Sequence, residues 1–507
     1  MQTQAPPGSP QREIANAYAL VERRALGDAE AACRRALAAT NNASPQAWTA
    51  LGVVLREQGR TAESTAAYER AIAVAPRHVP AHHNLGALLS QLDRAEEALA
   101  SLDRAASFGL NAPELHINRG RALAQLYRFD ESERAYAQAV ALEPRNVAAQ
   151  SMLAQLRYMR GDPGFARDFA TVIRMNPGDL GLQFTYTELL RRCGDLAGAE
   201  ALLRVVLKNS GMAPAVRSAL AGLLHEAGRL AEAENEALQA ALSRPGDSAL
   251  VETFVQIELA LGKPDTALPL IRAERKRRPR DPRWVTYEAM AARLSGDPLY
   301  QHLYDYERLV RVYELQPPPG WSSMAEVNAA VCEALKSRHS LATHPLDQSL
   351  RNGTQTMRNL LAEQVPAIQA LISAFAEPIA SYCAAIGHEP DHPLTAHNRG
   401  AVGMHGCWSV ELHRNGFHVN HFHPEGWLSS AYYVSVPQEV SDPQARSGWL
   451  KFGEPRLPVP GLQPDHFVQP RAGRLVLFPS YMWHGTNAIT GDEPRLTVAF
   501  DAVPRAG

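Results

Sequence analysis

A chain of 507 residues exceeds one ordinary domain and accommodates two or three. Its 45% hydrophobic and 21% charged residues are the composition of a folded protein. The 51 basic and 53 acidic residues leave a net charge of −2, which excludes a global electrostatic case for nucleic acid or anionic lipid as partner. Five cysteines (Cys33, Cys193, Cys332, Cys383 and Cys407), odd in number and far apart, exclude a disulfide framework and a cysteine zinc cluster. The polar start MQTQAPPGSPQRE lacks the apolar stretch of a signal peptide, and no apolar run is expected to reach the ~18 residues of a membrane span. A soluble, cytoplasmic protein is the expectation. Histidine is skewed: twelve of the 18 lie from His339 onward, and histidine is the commonest metal ligand.

The first elements repeat. Trp48, Leu51, Gly52, Leu55, Gly59, Tyr68, Ala71 and Pro76 return 34 residues later as His82, Leu85, Gly86, Leu89, Asp93, Leu102 and Ala105. They return again as His116, Gly120, Leu123, Tyr136, Ala139 and Pro144. Ala154 and Gly161 mark a weaker copy, glycines recur at Gly194, Gly228, Gly262 and Gly296, and Gly27 marks an earlier turn. Each unit reads as two antiparallel helices. Glycine or aspartate at the turn supplies a positive φ, a small residue on the first helix lets the second approach, and proline stops the second.

This pattern resembles the tetratricopeptide repeat family over about residues 12–310, roughly nine helix pairs, with the repeat domain taken as 12–315. Such pairs stack into a superhelix with a concave groove. The resemblance implies that the groove binds a peptide or protein segment; scaffolding or homo-oligomerisation through the repeats is the alternative. The basic run Arg275-Lys276-Arg277-Arg278-Pro279-Arg280 falls at a helix end, where the macrodipole favours cations, and reads as a solvated terminus.

Periodicity fades after Gly296. Residues 300–315 are expected to form a capping helix, and Gln316-Pro317-Pro318-Pro319-Gly320 breaks the chain. An amphipathic helix at 323–338, a polar loop carrying Gly353-Thr354-Gln355-Thr356, and a helix over 358–386 follow. Short β-type runs then appear at Cys407–Leu412, Leu428–Val436, Gly448–Phe452, Arg474–Phe478 and Arg495–Val503, as in a sandwich or barrel buttressed by helices. The second domain is taken as 321–507.

His421-Phe422-His423 is the sharpest local feature. On an extended segment, residues i and i+2 point to one side, so both imidazoles reach one metal and Phe422 faces away. His484 ends the apolar run Leu475–Trp483, and Arg495 opens the strand Leu496-Thr497-Val498-Ala499-Phe500. An arginine buried there needs an anionic partner, and a dicarboxylate suits its fork. His-x-His, a distal histidine about sixty residues on and an arginine eleven further resembles the iron- and 2-oxoglutarate-dependent oxygenases, over about residues 340–505. Gly353-Thr354-Gln355-Thr356, His421-Phe422-His423-Pro424, Leu428-Ser429-Ser430-Ala431-Tyr432-Tyr433, Leu477-Phe478-Pro479-Ser480 and Arg495-Leu496-Thr497-Val498-Ala499-Phe500-Asp501 are similar to a bacterial and phage branch of them.

The resemblance implies a double-stranded β-helix (jelly roll) that binds Fe(II) and 2-oxoglutarate and hydroxylates a C–H bond. It implies His421 as first ligand, His484 as distal ligand and Arg495 as the 2-oxoglutarate clamp. His423 stands where the superfamily usually has a carboxylate. Glu425 is the alternative, but Pro424 and Gly426 make its stretch a turn, so His421, His423 and His484 are preferred. One of the adjacent tyrosines must face inward; Tyr433, with Asn420 and Thr497, is a further candidate for the cosubstrate. His418 lies off the parity of the pair. His388, His392, His397, His405 and His413 read as structural or solvated. The expected fold class is α+β in two modules, and the expected function is a 2-oxoglutarate-dependent dioxygenase acting on a peptide or protein recruited by the repeats. A repeat adaptor with a degenerate metal-binding barrel, and a three-histidine iron dioxygenase without 2-oxoglutarate, are the alternatives.

Overall fold

The computed structural model describes residues 9–209 and 213–505; the first eight residues, on which the reading of the N-terminus largely rests, lie outside it. Contacts divide the chain into two compact units, Met1–Leu156 and Arg157–Gly507.

In the first unit the helices pair as hairpins: Pro10–Glu22 with Leu26–Ala39, Pro45–Glu57 with Thr61–Val74, Val79–Gln91 with Ala95–Ser107, and Pro113–Gln125 with Phe129–Leu142. Ser9 and Ser44 cap the first two hairpins, each followed by proline at the first helical turn. The small residue on each first helix does what its position predicts. A Cβ at Gly86 would lie 2.5 Å from Leu102, one at Gly120 2.5 Å from the Tyr136 ring, and one at Gly52 would meet Tyr68. Ser64 Oγ donates to the Gly52 carbonyl at 2.6 Å, and Ser132 Oγ to that of Gly120 at 2.7 Å. The turns take positive φ at Gly59, Asp93 and Tyr127 (76°, 57° and 60°). Gly27 is a correction: it lies inside the helix Leu26–Ala39, and Arg24 takes the left-handed conformation of that turn (φ 61°).

The second unit continues the hairpins through Leu180–Arg192 with Leu196–Asn209, Pro214–Glu226 with Leu230–Ser243, and Ser248–Ala260 with Pro264–Arg277, and ends them with Pro282–Ser295. The second helix of the weak fourth copy is short, Arg167–Met175. Gly161, Gly194, Gly228, Gly262 and Gly296 all have positive φ. In the basic run, Arg275 and Arg277 pair with Glu288 and Glu274, so this helix end is ion-paired as well as solvated.

No capping helix covers 300–315. The helices Leu299–Leu303 and Tyr306–Leu309 are followed by strand β1, Arg311–Glu314, whose alternating burial marks a sheet edge. The segment with Gly353-Thr354-Gln355 is likewise not a loop but β2, Leu350–Gln355. Gly353 allows β2 to lie against β3, because a Cβ there would strike the Glu411 carbonyl. The other strands are β3 (Val402–His418), β4 (Leu428–Ser435), β5 (Leu450–Phe452), β6 (His466–Val468), β7 (Arg474–Pro479), β8 (His484–Thr486) and β9 (Arg495–Pro504). They form a six-stranded sheet, β1-β7-β4-β9-β3-β2, and a three-stranded sheet, β6-β5-β8, with antiparallel pairs throughout. An N-terminal repeat superhelix and a C-terminal antiparallel jelly-roll region are therefore both present.

Alternation along β9 separates two environments. Val498, Phe500 and Ala502 join the core made by the helices Met324–Lys336, Pro366–Ala374 and Ala376–Ile386. Phe375 meets Phe500 and Tyr432 at ring distances of 4.9 and 5.5 Å, and Tyr432 Oη donates to Asn328 at 2.6 Å. The expected helix over 358–386 is shorter and divided: a 3-10 turn at Leu360–Ala362 precedes Pro366, and the two helices meet at Phe375. Contrary to the expectation, Pro366–Ile386 reaches the 21-residue length and mean hydropathy of a membrane span. Its Ile368, Leu371, Phe375, Tyr382 and Ile386 are instead buried in the core.

Candidate metal and cosubstrate site

His421 and His484 are joined by reciprocal backbone hydrogen bonds: His421 N–H donates to the His484 carbonyl at 2.8 Å, and His484 N–H to that of His421 at 2.9 Å. His423 N–H donates to the Ser480 carbonyl at 2.8 Å. These bonds fix the 421–423 segment against the start of β8 and the residue that follows β7. Phe422 turns away to meet Trp483 edge-on at 4.9 Å. One ligand atom from each of His421, His423 and His484 lies within 4.8 Å of the others, a separation a single metal ion can bridge.

The other nitrogen of each ring is committed. His421 Nδ1 lies 2.8 Å from the Val419 carbonyl, and His484 Nδ1 2.9 Å from the Met482 carbonyl. A carbonyl only accepts, so each Nδ1 carries the proton and each Nε2 keeps a lone pair. His423 Nδ1 lies 2.7 and 2.6 Å from the Asp501 oxygens, and Ser429 Oγ donates to Asp501 Oδ1 at 2.7 Å. Burial pulls His421 down to about 3 and His484 well below its usual value, with the neighbouring imidazoles adding to it. Burial raises the Asp501 carboxyl, but His423 and Ser429 outweigh it and hold it below its usual value. At neutral pH His421 and His484 are thus neutral and able to ligate, and Asp501 is an anion one hydrogen bond from the ligand set.

Arg495 is 1% exposed at the start of β9. Its Nη1 donates to the Gly448 carbonyl at 2.5 Å, its carbon sits 5.7 Å from the Tyr433 ring centre, and its Nε has no hydrogen-bond partner among the described residues. Tyr433 Oη, also buried, has none either. Both residues line the same cavity of about 810 Å³ as the three histidines. A buried guanidinium without an anion is costly. A carboxylate bound beside Tyr433 would satisfy Arg495, so the residues present fit a divalent metal with a dicarboxylate.

Other candidates are placed as follows. Thr497, Ala499 and Asp501 share the Arg495 face of β9 and line the cavity. Thr497 Oγ1 donates to the Val410 carbonyl at 3.2 Å. Asn420 lines the cavity, but its Nδ2 is engaged by Glu454 and the Pro455 carbonyl at 2.9 and 3.1 Å. Glu425 lies exposed in the turn after Pro424, outside the group of three converging histidines. His418 lines the cavity with its ring 6.1 Å from His421 and its Nδ1 on Ser349 Oγ at 2.9 Å. Sequence reasoning missed Asp501, Ser429 and Ser480. Strand parity, counted on from Arg495 and Thr497, points to Asp501; its pairing with His423 is a product of the fold.

Residues 406–501, which include all these groups from His418 to Asp501, match a family model described as "Putative 2OG-Fe(II) oxygenase". Tetratricopeptide repeat models match residues 14–73, 49–113, 113–146 and 188–249. No curated protein matches the chain. Among solved structures, a tetratricopeptide repeat protein of Parabacteroides merdae is 20% identical with a TM-score of 0.37, covering 49% of this chain and 98% of that one. A thermophilic tetratricopeptide repeat protein of Thermus thermophilus is 25% identical at TM-score 0.31, covering 35% and 97%. Yeast Tom70 is 16% identical at TM-score 0.46, covering 60% of this chain and 67% of its own. The chain therefore carries tetratricopeptide repeats in its N-terminal part and, over residues 406–501, a domain matching that oxygenase family.

Proposed function

We propose that the protein is an iron(II)- and 2-oxoglutarate-dependent dioxygenase that hydroxylates a peptide or protein substrate recruited by its repeats. The observation that carries this reading is the meeting of three converging imidazoles with a buried Arg495 that has no ion-pair partner among the described residues, in one cavity. His421, His423 and His484 would hold the metal, and Arg495 with Tyr433 Oη would bind the far carboxylate of 2-oxoglutarate. Ferrous iron with 2-oxoglutarate supplies dioxygen activation and C–H hydroxylation, releasing succinate and carbon dioxide. The chain's own part is positional. The Val419 and Met482 carbonyls and Asp501 hold the three rings through Nδ1, which would leave each Nε2 to face a bound metal. Phe478, Leu450 and Trp408 supply apolar lining to the cavity.

The ligand set contains no carboxylate, which favours a second reading, a three-histidine iron dioxygenase without 2-oxoglutarate. Asp501, hydrogen-bonded to His423, brings a negative charge near the metal without occupying a coordination position. Iron content and succinate yield of the purified protein test the proposal, and Arg495→Ala separates the readings. Oxygen consumption in Arg495→Ala that keeps its rate and its indifference to 2-oxoglutarate would select the second.

A further inference from the structure

The cavity holds charge that the proposed metal and cosubstrate groups do not use. Arg191, Arg192, Arg351 and Arg456 all line it. Arg191 and Arg192 end the repeat helix Leu180–Arg192, Arg351 lies on β2, and Arg456 follows β5. Glu226, at the end of helix Pro214–Glu226, accepts on Oε1 from Arg191 Nη1 at 2.5 Å and from Arg456 Nη2 at 3.2 Å. Glu188 is gripped by Arg191 at 2.9 Å and only approached by Arg192 at 3.8 Å. Arg351 has no carboxylate partner among the described residues. It is half-buried, and its Nη1 donates to the backbone carbonyls of Gln348 and Leu350 at 2.9 and 2.7 Å. Burial and the neighbouring Arg456 lower its pKa, outweighing the opposing pull of Tyr158 and Glu226. Asp347 and Glu425 also line the cavity, and among the described residues neither forms an ion pair with these arginines.

The Arg191–Glu226–Arg456 bridge would be explained as a strut between repeat helices and sheet. Arg351 would not, since among the described residues it forms no ion pair, Glu226 acts on it only from beyond ion-pair distance, and it is nonetheless half-buried, an arrangement that is costly until an anion arrives. Guanidinium forks suit carboxylates. We propose that this wall binds a carboxylate group of the substrate through Arg351, Arg456 and Arg192, so that the substrate is an acidic peptide or a small carboxylic acid. The inference rests on the oxygenase reading for the word substrate; the binding itself is testable without turnover.

The test uses the full-length protein and fluorescein-labelled hexaglutamate, hexalysine and glycine–serine peptides, followed by anisotropy. Hexaglutamate should bind at least about tenfold more tightly than the other two, and more weakly as salt rises. Arg351→Gln and Arg456→Gln should each weaken it about tenfold, Arg351→Lys should retain most of the affinity, and Arg351→Glu should turn the preference toward hexalysine. Equal binding of the three peptides, or no loss in Arg351→Gln and Arg351→Glu, overturns the proposal. So does tighter binding of an oligothymidylate, or displacement of hexaglutamate by 2-oxoglutarate in the presence of Mn(II), which would move the acidic group to Arg495. With 2-oxoglutarate saturating, competition by a small dicarboxylic acid would assign the wall to small acids, and its absence to peptides; both outcomes keep the wall. Missing succinate with intact hexaglutamate binding sinks only the oxygenase reading, whereas succinate formation without charge preference sinks only this inference.

Discussion

The repeat hairpins, packed through apolar clusters, and the histidine cavity each contain polar contacts, but over very different distances along the chain. In the hairpin of Pro45–Glu57 and Thr61–Val74, Ser64 reaches the Gly52 carbonyl 12 residues away, and the same contact recurs between Ser132 and Gly120. In the cavity, His423 and Asp501 are 78 residues apart, and their contact occurs once. A short-range contact must recur whenever the sequence recurs. A long-range one depends on sheet register, here the opposition of Ser429 and Asp501 on β4 and β9.

This contrast can be broken first at the metal. His484→Ala should lower Fe(II) affinity by more than ~100-fold, beyond what loss of an outer hydrogen bond causes, as measured by anaerobic titration. Asp501→Asn should cost roughly 10–100-fold in metal affinity, because the amide no longer holds the Nδ1 proton of His423 as a carboxylate does. Glu425→Ala should leave iron content at the wild-type level; iron lost there but retained in His423→Ala would replace His423 by Glu425 as the third ligand. In the repeats the effects are on stability. Gly120→Val should cost about 1–3 kcal/mol in urea unfolding, since its Cβ would overlap the Tyr136 ring.

A pH titration sharpens the comparison within the second unit. His339, with Nδ1 2.8 Å from Thr354 Oγ1 and Nε2 3.0 Å from Ser409 Oγ, is pushed down to about 4 by burial, helped by His413. Its folded pKa lies below the unfolded value of 6.5, so its contribution is fully present above pH 6.5 and lost as pH falls toward 4. Replacing it by glutamine should flatten that acid loss by on the order of 2 kcal/mol, read as the pH dependence of unfolding free energy. The smallest expected effect is at Gly27. Alanine there meets no atom within 4 Å, sits inside a helix, and should raise stability by roughly 0.5–1 kcal/mol.

Much of this molecule is determined by its sequence alone. The hairpin period, the close-packing glycines Gly52, Gly86 and Gly120, and the turns at Gly59 and Asp93 follow from local backbone sterics. Phe422 leaving the metal-facing side of the His pair to pack on Trp483 follows from strand parity, and parity along β9, continued two residues past Ala499, reaches Asp501. Where the local signal was ambiguous the tertiary structure decided. Arg311–Glu314 and Leu350–Gln355 are strands because β7 and β3 offer them hydrogen-bonding edges, which no local pattern reveals. The turn near Gly27 uses Arg24 because hairpin geometry, not residue preference, selects the left-handed position. Only the folded chain could bring Asp501 to His423, leave Arg495 without an ion-pair partner among the described residues, and set Arg351 near Arg456 in the cavity that Arg191 also lines. Each of these depends on the register and packing of segments distant in sequence, where burial and missing counter-charge arise from the assembly rather than from any residue's own chemistry.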